Sequence, residues 1–224
     1  MTIEEEIAAL KKQIAELSLR NGVLEDIQAI RTLHFKYGYY MDKWLFPEIV
    51  DLFAEEGSKV HFLNGIFKGK AGVKRMFGGG FDIKGPTYGI LTDHLLLQDI
   101  VDVAPDRMTA KGRFRCFLMG GVHESKPNTT SIPSQFWEGG VYENTYIKEN
   151  GVWKIKILNY NLSWQTEYEK GWAHSDVKLL MVSPFTKTFP DDPRGPDELK
   201  SEPFRFWPDS YLVPFHYRHP VTGK

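Results

Sequence analysis

The order of patterns along the chain predicts an α+β fold, with helices first and a meander of long strands after them. Three observations carry this. Residues 3–53 hold helical runs of apolar residues spaced three and four apart. Residues 89–165 hold four long alternating runs, the signature of strands with one face buried. Asn150-Gly151 then joins the last two runs, and Asn-Gly between alternating stretches is the strongest short-range hairpin signal. There is no strand–helix–strand alternation and no internal repeat.

The elements follow in order. Ile3, Ile7, Leu10, Ile14 and Leu17 are spaced four, three, four and three, a narrow coiled-coil-like stripe. The reading is a helical arm over residues 1–22 that packs on a neighbouring subunit and ends at Asn21-Gly22. A second helix is expected over 24–42, with Ile27, Ile30, Leu33, Tyr37 and Met41 on one face. A third is expected over 44–53, with Pro47 near its first turn, where proline is tolerated. Residues 59–67 read as a short hairpin turning at Asn64-Gly65, and 69–77 as a short helix before a loop opened by Gly78-Gly79-Gly80. Strands are expected over 89–103, 107–122, 135–149 and 152–165. The polar connection 123–134 reads as a loop at a pocket edge. One domain is expected over 23–182. From residue 183 onward eight prolines stand among eight aromatic rings. Proline at that density forbids regular structure, while the rings argue against a solvated tail. An extended arm over 183–224, lying on its own domain or on a neighbour, satisfies both.

Composition narrows the function classes. The 224 residues are 42% apolar and 25% charged, ordinary values for a globular chain with a full core. A formal net charge of -1 gives no electrostatic footprint for nucleic acid. No apolar stretch approaches the length of a membrane span, and the acidic start at Met1–Glu6 is no secretory signal. Cys116 is the only cysteine, so an intrachain disulfide or a cysteine zinc site is excluded, which suits a reducing cytoplasm. It reads as a small buried hydrophobe. The histidines show no metal-ligand spacing, and no phosphate-loop, nucleotide or flavin fingerprint is present. Neither a metal nor a cofactor is expected. With 15 Phe, 10 Tyr and 6 Trp, rings are expected to line a cavity or an interface as well as the core.

Several motifs carry a family resemblance. Gly140-Val141-Tyr142, Tyr146 and Asn150-Gly151-Val152-Trp153-Lys154-Ile155 form one. Tyr39 to Trp44 followed by Val50 to Gly57 form a second, and Gly65 to Lys70 a third. Together and in this order they resemble the SnoaL-like family of the nuclear transport factor 2-like superfamily, over about residues 24–165. The resemblance implies a cone, made of a curved mixed sheet packed on N-terminal helices with a pocket at its mouth. Families of this kind include dehydratases, isomerases and other lyases, and also binding modules such as the small subunit of aromatic-ring dioxygenases.

The same resemblance assigns roles. In its scytalone dehydratase and hexachlorocyclohexane dehydrochlorinase branches, an aspartate ending the first core helix orients a pocket histidine. Asp42 and His94 stand at the comparable places. A neutral imidazole held by a carboxylate can accept a proton near neutral pH. Tyr39 precedes Asp42 on one helix face, and Tyr142 falls where the dehydratase carries a polar pocket residue. Arg113 and Arg115 share one strand face and would hold a developing negative charge if that face lined the pocket. Asn159 and Trp164 fall near the end of the last strand. Leu158 stands where the dehydrochlorinase carries an arginine, which argues against halide abstraction. The expected function is a cofactor-independent lyase on a small aromatic substrate, of the type that releases formaldehyde from a lignin-derived diarylpropane. A dehydratase, an isomerase and a non-catalytic assembly module are the alternatives. The stripe and the aromatic arm both predict a homo-oligomer, a dimer or trimer.

Overall fold

The computed structural model describes residues 1–79, 83–127, 132–176, 180 and 182–224. One helix, α1, runs over Ile3–Asp42. It starts at a capping box, in which Thr2 Oγ1 accepts the Glu5 N–H at 3.2 Å and Glu5 Oε2 accepts the Thr2 N–H at 2.7 Å. The expected break at Asn21-Gly22 does not occur. Gly22 is inside the helix because a side chain there would collide with the Arg107 guanidinium, 2.2 Å from the place of its Cβ. The glycine marks a close approach, not an end.

Up to Leu19 the helix is exposed all round. Beyond it, Gly22, Asp26, Ile30, His34, Tyr37 and Gly38 are buried, the four-residue spacing of one helix face. The next helix, α2 (Phe46–Asp51), is shorter than expected, because Trp44 sits at φ 56° in the turn before it. The hairpin β1 (Lys59–Phe62) and β2 (Gly65–Lys68) turns on Leu63 and Asn64, one residue earlier than expected. Helix α3 covers Gly69–Gly79. Gly80, the last of the glycine run, lies outside the described residues.

The meander follows as β3 (Ile90–Val103), β4 (Thr109–Val122), β5 (Gln135–Glu149) and β6 (Val152–Glu167), all antiparallel neighbours. Asn150 and Gly151 both take positive φ, at 51° and 79°, as a two-residue turn of this type requires. Strand β1 adds to β6 in parallel, with Lys59 opposite Ile157. A short β7 (Glu198–Leu199) pairs with β2, giving the sheet order β3-β4-β5-β6-β1-β2-β7. The fold is thus α+β, with α1 packed on a curved, unclosed mixed sheet. The core lies between them, around Ile30, Phe53, Phe67, Phe114, Tyr146 and Ile155. Part of the 123–134 connection, residues 128–131, lies outside the described residues. Its described ends border a shallow groove with Tyr88 and Leu91. Among the described residues, no helix is long and apolar enough to cross a membrane.

The C-terminal segment lies on its own domain. Asn64 exchanges two hydrogen bonds with the Phe185 backbone, both at 2.8 Å. Asp197 accepts from Arg75 at 2.5 Å and from the Lys68 N–H at 2.7 Å. The Trp207 N–H donates to the Ser163 carbonyl at 2.7 Å, and the chain then crosses the outer face of the meander, where the Tyr211 hydroxyl donates to Asn161 Oδ1 at 3.1 Å and the Val213 carbonyl accepts from Arg113 at 3.1 Å.

The helix is tied to the sheet at Asp26. Its carboxylate accepts from Arg107 and Lys148, each at 2.6 Å, and from the Trp153 indole at 2.9 Å. Burial pushes this carboxyl up, but the three donors outweigh it and hold the pKa at about 2, below the ordinary 3.8. One turn pair further on, His34 is wholly buried among Tyr37, Phe114 and Tyr142, and burial pushes it down from 6.5 to about 3.

Asp26→Ala should destabilise the fold by about 3 kcal/mol in denaturant melts, because it leaves cations and an indole donor without their partner. The Asp26 contribution is complete above its unfolded value of 3.8 and is lost as pH falls through about 2. His34 acts earlier. Its depressed pKa means that the unfolded chain takes up the proton first, so stability is full above 6.5 and falls as pH drops toward 3. His61, pushed by burial to about 4, titrates in the same range. Between pH 6 and 4 the slope of stability against pH should therefore roughly halve in His34→Gln, and an unchanged slope would contradict this assignment.

Candidate active site

Helix α1 ends at Asp42 against the start of β3. The approach is close because Gly38 lacks a side chain; a Cβ there would lie 2.9 Å from Leu96 and 3.5 Å from the His94 carbonyl. Asp42 Oδ1 accepts twice from one residue, from the His94 backbone N–H at 2.8 Å and from His94 Nδ1 at 2.7 Å. Thr92 Oγ1 donates to the Asp42 carbonyl at 3.0 Å, satisfying one of the carbonyls left over at the helix end. Both the Asp42 and His94 side chains are only 10% exposed. With Nδ1 held by the carboxylate, Nε2 is the ring nitrogen left for a further proton or hydrogen-bond partner.

His94 lines a cavity of about 420 Å³ inside the cone. Its walls are apolar and aromatic, with Tyr37, Phe62, Leu118, Phe136, Tyr142 and Tyr160 prominent. Val182, Phe185, Asp192 and Arg194 from the C-terminal part of the chain complete one side. Tyr142 and Tyr160 are stacked obliquely, with ring centroids 4.6 Å apart. Burial pushes both phenols well above their ordinary range, so they serve as hydroxyl donors and not as phenolates.

A second acid, Glu138, lines the same cavity and is buried. The Tyr160 hydroxyl donates to its Oε1 at 2.8 Å and Gln165 Nε2 donates to its Oε2 at 2.6 Å. Gln165 is fixed in turn by the Leu180 N–H, which donates to its Oε1 at 2.6 Å. Burial raises the Glu138 pKa; the hydrogen bonds from Tyr160 and Gln165 pull against it without cancelling it. The cavity therefore holds an imidazole oriented to accept a proton and a carboxyl inclined to keep one.

The other residues singled out in the sequence fall elsewhere, with the exception of Tyr142. Tyr39 points away from the cavity and is 72% exposed. Arg113 and Arg115 lie on the outer face of β4, since Phe114, Cys116 and Leu118 take the inner one. Arg113 is engaged there by Glu143 at 3.0 Å, by the Val213 carbonyl at 3.1 Å and by the Phe215 ring at 4.5 Å. It holds the C-terminal segment and is not an oxyanion ligand of this cavity. Asn159 is not among the lining residues, because its neighbours Leu158 and Tyr160 point inward. Trp164 stacks near Phe117 and Trp172 on the outer face, at 6.0 and 6.3 Å. The register shift opposite Gly139-Gly140 reverses the alternation of β6, so that Gln165 turns inward in its place. Glu138 was missed, although its signal was present: it lies four residues before Tyr142 on one strand, hence on the same face.

Comparison with known proteins agrees with this architecture. No curated protein sequence matches the chain. Among solved structures, a protein from Novosphingobium aromaticivorans DSM 12444 named provisionally as a scytalone dehydratase is 20% identical, with a TM-score of 0.53 over 75% of this chain and 99% of that one. A hexachlorocyclohexane dehydrochlorinase, LinA type 2, is 18% identical, with a TM-score of 0.50 over 64% of this chain and 89% of that one. LinA is 14% identical, with a TM-score of 0.51 over 74% and 99%. At such identities the likeness speaks for the fold. Residues 22–159 match the SnoaL-like domain, and since that is more than half of the chain, the protein belongs to the SnoaL-like family of the nuclear transport factor 2-like superfamily.

Proposed function

We propose that the protein is a cofactor-independent lyase on a phenolic aromatic substrate, and that its substrate class is the diarylpropane diols derived from lignin. The observation that carries the reading is the Asp42–His94 pair opening onto an aromatic cavity that also holds Glu138. A volume of about 420 Å³ falls in the range that encloses a molecule of one or two rings. The aromatic walls favour flat rings over sugars.

The chemistry follows from the two groups. His94 Nε2 takes the proton of the terminal hydroxyl of a 1,3-diol. The O–H electron pair becomes the C=O bond of formaldehyde, and the adjacent C–C bond breaks. Its electrons form the new C=C bond between the two ring-bearing carbons. The hydroxyl on the far carbon leaves as water with the proton of Glu138. Diol in, stilbene, formaldehyde and water out: the atoms balance with no oxidant or reductant. A phenol on the adjoining ring stabilises the charge that develops at the carbon losing hydroxide. Asp42 stabilises the imidazolium that forms and keeps the ring in one orientation.

Incubation with a panel of phenolic diarylpropane diols, read by formaldehyde release and stilbene absorbance, tests the substrate class. Loss of water without formaldehyde would favour a dehydratase. No turnover of any aromatic alcohol, with rings still bound, would favour a binding module. On the substrate found, His94→Ala should lower kcat by about a hundredfold or more. Asp42→Asn should lower it too, and the double variant should lose less than the sum of the two, since both serve one proton transfer. Glu138→Gln keeps the shape but removes the proton donor, and should lower kcat with little change in the binding of an unreactive analogue. Near-full turnover in a folded His94→Ala variant would sink the mechanism. Dialysis against a strong chelator should leave turnover unchanged; loss restored by added zinc or iron would contradict the cofactor-free reading.

A further inference from the structure

The first five turns of α1 are exposed at every position. Their apolar residues are all exposed, from 47% at Ile7 to 76% at Ile3. We propose that this stretch is a parallel, in-register, two-stranded coiled coil formed with a second copy of the chain.

The residue types specify this occupant. In heptad terms Ile7, Ile14 and Asn21 occupy the a positions, and Ile3, Leu10 and Leu17 occupy d. A β-branched residue at a with leucine at d favours two parallel strands, and a single asparagine at a fixes register and strand number. The flanking charges agree. In the parallel arrangement the g residue of one helix meets the e residue five positions on in its partner. That places Glu6 beside Lys11 of the second copy and Arg20 beside Glu25 of the second copy, two attractive pairs, with Gln13 and Ser18 neutral between them. The antiparallel arrangement that sets Leu10 against Ile14 brings Lys11 against its own copy, a repulsive pair.

Geometry permits it. The residues that α1 buries against the cone begin at Gly22 and Asp26. At ~100° per residue, that face lies on roughly the opposite side of the helix from the a/d stripe. The seam therefore points directly away from the domain, and two cones can diverge from the end of one coil without collision. About three heptads form a weak coiled coil as a free peptide, because nucleating a helix is unfavourable. Here the nucleus exists already, as the same helix continues into the packed cone.

The test uses the full chain. Light scattering at micromolar concentration should give twice the 25.8 kDa chain mass. Ile7→Asp combined with Ile14→Asp should give a monomer, with the thermal unfolding of the cone unchanged because neither side chain touches it. Leu10→Cys should cross-link fully under mild oxidation, since d residues face their own copies only in the parallel register; the native Cys116 is buried in the cone and does not compete. A monomeric or trimeric wild type, a dimer that survives the aspartate pair, or a dimer whose Leu10→Cys variant stays uncross-linked would each overturn the proposal.

Discussion

The structure depends on one helix being held at a fixed height across a curved sheet. Asp26 supplies the first hold, gathering Arg107 from the turn between β3 and β4, Lys148 from β5 and Trp153 from β6. Because its three donors come from three places in the meander, the helix cannot slide without breaking all of them. The far end of the helix is thereby delivered to β3, where Asp42 meets His94. The His94 ring is positioned by tertiary packing that begins four helical turns away. Between the two holds, Gly38 lets helix and strand approach closely enough for a side chain as short as aspartate to reach the imidazole.

Low polarity is the second requirement of the site. In the proposed reaction Glu138 can serve as an acid because burial disfavours its charged form. Two donors, Tyr160 and Gln165, keep it from being stranded, and the balance between them and burial leaves the carboxyl raised. His94 stays oriented because both of its hydrogen bonds to Asp42 converge on a single oxygen. The tyrosines contribute walls and hydroxyl donors, and their own ionisation is suppressed by the same burial.

Much of the fold was legible because its signals are local. Alternation and the Asn150-Gly151 turn place β5 and β6 from a window of a few residues. What the sequence concealed was set by distant parts of the chain. Gly22 looks like a helix stop until Arg107, eighty-five positions away, is seen to occupy its missing side chain. Alternation shows that Arg113 and Arg115 share a face, but which face is inward depends on Glu143 and on the segment that crosses it. A count in twos from Leu158 along β6 would turn Trp164 inward, and the register shift breaks that count. Glu138 was readable by the same count from Tyr142 along β5.

The cavity draws one of its walls from Val182, Phe185, Asp192 and Arg194, all beyond the stretch 22–159 that matches the family. Asp42, His94 and Glu138 all lie within it. Under the proposed function, part of the selectivity would thus lie outside the length that carries Asp42, His94 and Glu138. Substitutions at these four positions can reshape what the cavity admits while Asp42, His94 and Glu138 stay untouched.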